Sequence, residues 1–441
     1  MSDRSNATSM AFSMSPAHYK LRCQSCGELF PDDGFLLQCL NPHGPALLTS
    51  EYRAKSFEPE KSKSGIFRYR KWLPVTREIF DGGRTIIYQS KQLGKIIGLP
   101  NLWIAFSGYW PEREASLETA TFKELEACSV LSRKPSLCEK TLVVASAGNT
   151  AAAFAYVCSV NKIPCLIIIP ESGLDRLQFD EAVDPIVRIV SITELADYYD
   201  AITLADRISQ LPGFYPEGGV RNVGRRDGIG TLILGGVEAI GRLPDYYFQA
   251  VGSGTGGIAA HEMAKRVVED GRFGTRPPRL MLSQNLPFAP IYTSWKSRSK
   301  ELVSVTDEDA RKQIQQIAAK VLSNRRPPYA VRGGVFDVLN ESNGDMLAVD
   351  NVEAKRAGRL FEECEGIDID PASAVSAASL IKAVRLGRIE WDAVVLLHIT
   401  GGGWKRRSSD KTVIKTRPTM EVKREDVYSR RVLDSICSLF V

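Results

Sequence analysis

The chain has 441 residues, 44% of them hydrophobic and 25% charged, which is the make-up of an ordinary folded protein and excludes wholesale disorder, collagen and coiled coil. At roughly 100–200 residues per domain the length calls for two or three packed units. Lys and Arg total 57 against 52 Asp and Glu, a net charge of +5 that is too small to argue for nucleic acid or a membrane surface but leaves room for a basic cleft that takes a small anion.

Residues 1–17 are polar, small and aperiodic, and read as a mobile leader without an apolar run of signal-peptide length. No later apolar run reaches the roughly 20 residues that span a bilayer, so the expected location is the cytoplasm. Residues 18–50 form a Cys-rich, ribbon-like segment in which the pair Cys23 and Cys26 is separated by twelve residues from Cys39, which is followed by His43. These are the ligand types and number of a Cys₃His zinc ribbon, and any zinc there would be structural. Cys158, Cys165 and Cys364 sit singly in apolar runs, as reduced core cysteines do, which argues against a disulfide scaffold. His18, His261 and His398 look unpaired and are given no chemistry.

From about residue 66, short apolar runs at 102–106, 142–145, 165–169, 246–251, 280–282 and 393–398 alternate with segments of helical period such as 150–160 and 258–268. Continuous apolar strands bounded by Gly and polar turns are what a parallel sheet covered by helices on both faces requires, so the fold class is α/β. Four segments, 119–126, 146–150, 252–257 and 399–403, place small or hydroxylated residues at a strand end or helix start, where open α/β sheets bind ligands.

Gly252-Ser253-Gly254-Thr255-Gly256-Gly257 follows one such run and opens a helix, an arrangement that gathers backbone N–H groups around a phosphate. A dinucleotide site would also need an acidic residue at the end of the next strand, and that strand runs into Ser283-Gln284-Asn285 instead. The loop therefore suits a single phosphate group, and the commonest monophosphate cofactor for amino-acid chemistry is pyridoxal phosphate, which needs a lysine. Lys123, in Thr121-Phe122-Lys123, is the candidate. Ser146-Ala147-Gly148-Asn149-Thr150 joins a strand to an Ala-rich helix and offers hydroxyls, N–H groups and a side-chain amide. Thr400, followed by Gly401-Gly402-Gly403, puts a hydroxyl at a late strand end.

In this order the four pieces resemble the fold-type II pyridoxal-phosphate enzymes, the tryptophan synthase β-subunit and threonine synthase group. The strings FSGYWPE (106–112), FKELEA (122–127), VVASAGNTA (143–151), EGGVRNVGRRDGIGT (217–231), YFQAVGSGTGGIAA (247–260) and SQNLPFAPI (283–291) are similar to those of the cysteate synthases, threonine synthase relatives of methanogenic archaea. The resemblance covers residues 66–405.

It implies two three-layer α/β/α domains: a larger one from 51–105 plus 213–441 with the phosphate loop, and a smaller one from 106–212 with the Schiff-base lysine and the Asn turn. Lys123 would bind the cofactor and remove the α-proton, Asn149 would bond the ring hydroxyl, residues 252–257 would hold the phosphate, and Thr400 would face the pyridine nitrogen. Ser146, Ala147, Gly148 and Thr150 would hold the substrate carboxylate. The implied reaction converts O-phospho-L-serine and sulfite to L-cysteate and phosphate through an aminoacrylate, with Arg225, Arg226 and Arg332 as candidate anion donors and a homodimer as the family's common assembly. The chain departs from the pattern at Ala151-Ala152-Ala153, where an arginine is expected. That departure leaves room for a divergent β-replacement enzyme with another donor or nucleophile, or for threonine synthase. A nicotinamide dehydrogenase and a catalytically silent sensor are the rival classes.

Overall fold

The computed structural model describes residues 18–80, 83–135 and 139–440; the leader assigned to 1–17 lies outside the described residues. Two sheets dominate. In the six-stranded sheet the spatial order is Asp345–Val349, Arg279–Asn285, Tyr246–Ala250, Val395–Ile399, Leu102–Phe106 and Ile86–Gln89, the first five parallel and the last antiparallel. The five-stranded sheet is parallel throughout, ordered Phe214–Pro216, Thr141–Ala145, Cys165–Pro170, Val187–Ile192 and Met420–Val422.

The apolar runs are continuous because both faces of each strand are covered. Cys165, Ile167 and Ile169 face the core shared by the two sheets, while Leu166 and Ile168 face a separate outer cluster with Leu204, Ile208, Leu433 and Ile436. In the larger sheet Tyr247, Leu280 and Leu396 face the shared core, and Phe248, Met281 and Leu397 the opposite layer. Each of these side chains, when fully buried, contributes about 1.5–3 kcal/mol.

The division expected from sequence needs correcting at two places. Phe214–Pro216 and Met420–Val422 were assigned to the larger unit, but both are edge strands of the smaller sheet. The tail returns there because the short apolar strand at 420–422 and the helix Arg430–Cys437 cover apolar surface left by Val187–Ile192. A third, small sheet of Leu29–Phe30, Tyr19–Cys23 and Leu48–Tyr52 packs its inner residues Tyr19, Leu21 and Tyr52 on the shared core. Among the described residues no helix is long and apolar enough to cross a membrane.

Candidate active site

Lys123 and Thr400 are 277 positions apart in sequence and are joined by backbone pairing. The Phe122 N–H donates to the Thr400 carbonyl (3.0 Å), the Gly402 N–H donates to the Ala120 carbonyl (3.1 Å), and Thr121 bridges Gly401. Lys123, the first residue of the helix Lys123–Arg133, is thereby held beside the end of strand Val395–Ile399. The glycines permit the approach: Gly403 has φ of 77°, and a Cβ there would overlap the Tyr109 carbonyl. The Asp370 N–H donates to the Gly401 carbonyl (3.0 Å), which brings up the helix Pro371–Arg385 and sets Ser373 Oγ 3.2 Å from Thr400 Oγ1.

The Asn turn is organised from within. Ser146 Oγ accepts from the Gly148 N–H (3.0 Å) and the Ala151 N–H (2.9 Å), capping the helix Asn149–Asn161. Asn149 is buried, and its Oδ1 has no hydrogen-bond partner in the protein. Such an orphaned polar atom costs free energy unless a ligand satisfies it.

Behind the turn runs a buried chain of charges. Lys123 Nζ lies 3.1 Å from Glu126 Oε2, and Glu126 Oε1 is 3.0 Å from an Arg225 guanidinium nitrogen and accepts from Thr150 Oγ1 at 3.0 Å. Arg225 in turn holds Glu217 through two bonds, its Nε donating at 2.8 Å. Alternating signs let four charges be buried without an uncompensated one. Burial lowers the Lys123 amine below its usual range, Glu126 opposes this, and Arg225 adds to it. Glu124, beside this chain, is pushed up to about 8 by burial against the opposing bonds from Thr119.

The glycine loop bends out of Tyr246–Ala250 into the helix Thr255–Asp270. Gly254 has φ of 81°, and a Cβ there would overlap the Val335 side chain. Ser253 and Thr255 share a hydroxyl hydrogen bond of 2.8 Å.

Lys123, residues 146–150, residues 252–256 and Thr400 line one cavity. Gly257 does not reach its wall, and is packed instead against Leu282. The cavity also takes Tyr198, Arg225, Asn324 and Ala372, of which only Arg225 was singled out from sequence. A neighbouring cavity of about 480 Å³ shares Tyr198, Arg225, Ser253, Thr255 and Asn324 with it and extends to Arg221 and Arg326.

Three expectations change. Arg225 is already engaged by two carboxylates, and Arg226 is turned into the core, bonded to Glu262 and to the carbonyls of Leu48 and Val220. Arg332 pairs with Asp337 and lines neither cavity. The arginine that approaches the Asn turn is Arg176, whose Cγ would sit 2.9 Å from a Cβ on Gly148; it lies over the Trp404 ring at 5.2 Å and forms no ion pair with a described residue. The histidines also have partners: His18 bonds the Leu73 carbonyl (2.9 Å), His261 pairs with Glu341 (3.0 Å), and His398 joins Tyr247 (2.8 Å) and Ser107 (3.2 Å) in a buried cluster whose ring edge meets Phe122. Sequence shows none of these contacts, because each spans a large separation. Burial and the nearby Lys123 hold His398 down to about 3, so it is neutral in ordinary buffers.

Comparison with known proteins supplies the class. A family model described as pyridoxal-phosphate dependent enzyme matches residues 80–401, and the chain belongs to that family. Its cofactor is pyridoxal phosphate, which the cavity suits: an orphaned buried amide oxygen at Asn149, a glycine-built loop and a neutral hydroxyl, not a carboxylate, at Thr400. Within the family its branch is that of the cysteate synthases. It is 45% identical over 93% of its length to cysteate synthase of Methanosarcina mazei, covering 98% of that protein, and 46% identical over 92% to the cysteate synthase of Methanosarcina acetivorans, covering 97%. Solved structures share the fold. Maize serine racemase superposes with a TM-score of 0.57 at 16% identity, covering 74% of this chain and 93% of that one. Threonine deaminase isoform 2 of Solanum lycopersicum gives 0.54 at 15%, covering 75% and 88%.

Proposed function

We propose that this enzyme performs a β-replacement on O-phospho-L-serine, breaking the Cβ–O bond with loss of phosphate and forming a Cβ–S bond to sulfite, to give L-cysteate. The observation that carries this reading is the 45% identity, over 93% of this chain, to a protein named cysteate synthase.

Bound pyridoxal phosphate supplies an electron sink that acidifies the substrate's α-carbon. Lys123 Nζ is the group we assign to hold the cofactor and, once displaced by the substrate amine, to carry the α-proton. Its burial favours the neutral amine that this work needs. Glu126, fixed by Arg225 and Thr150, positions that amine. Asn149 would bond the ring hydroxyl, its unpartnered Oδ1 accepting from that O–H, the backbone of 252–256 would hold the phosphate, and Thr400, backed by Ser373, would meet the ring nitrogen. A neutral hydroxyl there leaves the ring nitrogen largely unprotonated, which weakens the sink and favours β-elimination over racemisation. Ser146, Ala147, Gly148 and Thr150 are assigned to the substrate carboxylate. Because the Ser146 and Thr150 hydroxyls already serve the turn and Glu126, and the Ser146 and Gly148 N–H groups bond Ile168 and Ser146, the contact would fall to the N–H groups of Ala147, Asn149 and Thr150.

Leaving group and nucleophile are both anions, and Arg221 and Arg326 line the cavity that adjoins the cofactor cavity, whereas Arg176 reaches Gly148 with its Cγ and lines neither cavity. Ala152, where an arginine is expected, is buried in the shared core, which favours anion recognition from outside the helix and keeps a second donor or nucleophile in view. The test is to incubate the holoenzyme with phosphoserine, acetylserine or phosphohomoserine, each against water, sulfite and sulfide, and to read products by mass spectrometry. Cysteate and stoichiometric phosphate from phosphoserine plus sulfite are expected. Threonine from phosphohomoserine, or product only with another pair, would overturn the assignment.

A further inference from the structure

The small N-terminal sheet carries a second site. Cys23 Sγ, Cys26 Sγ, Cys39 Sγ and His43 ring nitrogen all lie within 4.8 Å of one another, although they come from two turns thirteen or more residues apart. We propose that these four side chains bind one structural Zn²⁺ that braces the phosphate loop from behind.

Two of the six separations lie close to the edges of a tetrahedron, and all six are within 4.8 Å. With Zn–S of about 2.3 Å and Zn–N of about 2.0 Å, ligand atoms stand about 3.5–3.8 Å apart. Cys26 Sγ and Cys39 Sγ are 3.7 Å apart, and Cys23 Sγ and His43 Nε2 are 3.3 Å apart. A disulfide would hold its sulfurs at about 2.05 Å, so 3.7 Å is a ligand edge and not a bond.

The surroundings fit the same ion. His43 Nδ1 bonds the Gly44 carbonyl at 2.6 Å, which leaves Nε2 with its lone pair toward Cys23. Each sulfur has an N–H donor: Ser25 N–H to Cys23 (3.4 Å), Asn41 N–H to Cys39 (3.4 Å) and the Asn41 side-chain amide to Cys26 (3.5 Å). Three thiolates and a neutral imidazole around Zn²⁺ leave one net negative charge, and these donors stabilise it. Four protein ligands fill the tetrahedron, so the metal has no position for substrate and its role is structural.

A chain of backbone contacts leads from the knot to the cofactor cavity. The Gln24 N–H donates to the Leu47 carbonyl (3.0 Å), the Leu47 N–H to the Arg332 carbonyl (2.9 Å) and the Arg332 N–H to the Pro45 carbonyl (3.1 Å). The Arg332 turn opens the helix Val335–Glu341, and Val335 is the side chain pressed on Gly254. Without the ion, the turn holding Leu47 loses its anchor and Val335 loses its backing.

Metal analysis of holoenzyme purified without chelator tests the site directly, with one zinc per chain expected. Cys39→Ser, at a half-buried position, should drop zinc below a tenth per chain and speed cofactor loss on dialysis several-fold, with catalysis by the remaining loaded enzyme little changed. Background metal in the wild-type holoenzyme, a Cys26–Cys39 disulfide, or iron in place of zinc would overturn the zinc assignment. Zinc loss in Cys39→Ser with an unchanged rate of cofactor loss would overturn the brace. Either result reads independently of which substrate the enzyme uses.

Discussion

The two ends of the cavity are built from different materials. The glycine end is backbone: five contiguous residues, Gly252–Gly256, at one strand-to-helix join, with Val335 filling the space beneath Gly254. The lysine end is side-chain charge: Lys123, Glu126, Arg225 and Glu217, drawn from helices and a loop up to a hundred residues apart. A backbone cradle is intolerant of added volume and indifferent to pH, whereas a buried charge chain responds to every change of charge. Each end should therefore fail in its own way.

The largest effect is expected at the lysine itself. Lys123→Ala should abolish the visible band of bound cofactor and cut turnover by about a thousandfold or more, as loss of a covalent anchor does. At the other end, Gly254→Val adds volume where Val335 already sits and forces a β-branched residue to positive φ. We expect about a hundredfold weaker cofactor retention, measured by equilibrium dialysis, and a pH profile of the loaded enzyme that does not move.

A smaller effect separates the polar cluster behind the lysine from the cradle. His398 is held down to about 3 from an ordinary 6.5, so between those values the unfolded chain binds a proton that the folded chain does not. Stability therefore falls as pH falls through that window, by about 2–3 kcal/mol between pH 6.5 and 4.5 from this group alone. His398→Gln should remove that slope in urea unfolding of the holoenzyme, while Gly254→Val should leave it. Smallest is Glu126→Gln. Removing the carboxylate that holds the Lys123 ammonium up leaves burial and Arg225 to lower it further. Cofactor re-attachment to the apoenzyme, which needs the neutral amine, should have its pH midpoint moved down. An unmoved midpoint would show that Glu126 does not govern the lysine.

The same contrast explains what could be read in advance. The glycine turn at 252–256 is legible because the turn and the helix start are local, and the parallel sheets are legible because strands such as Cys165–Pro170 are apolar on both faces. Glu126, three residues beyond Lys123 on one helix face, has a readable signal in its i,i+3 spacing. Arg225 was read as an anion donor because a single arginine shows its charge but not the two carboxylates that claim it. Ser373 behind Thr400, Arg176 beside Gly148 and the return of Met420–Val422 to the smaller sheet have no local signature, since each is set by packing between distant segments. The Cys/His spacing was legible, and the fold adds its connection to the loop at Gly254.

Lys123 is the residue assigned to carry the cofactor, opposite the glycine loop. Reduction of the holoenzyme with borohydride fixes the cofactor to whichever lysine holds it, and peptide mass spectrometry then reads the position. The pyridoxyl group is predicted on the peptide containing Lys123, at close to one per chain; its recovery on any other lysine would contradict the account.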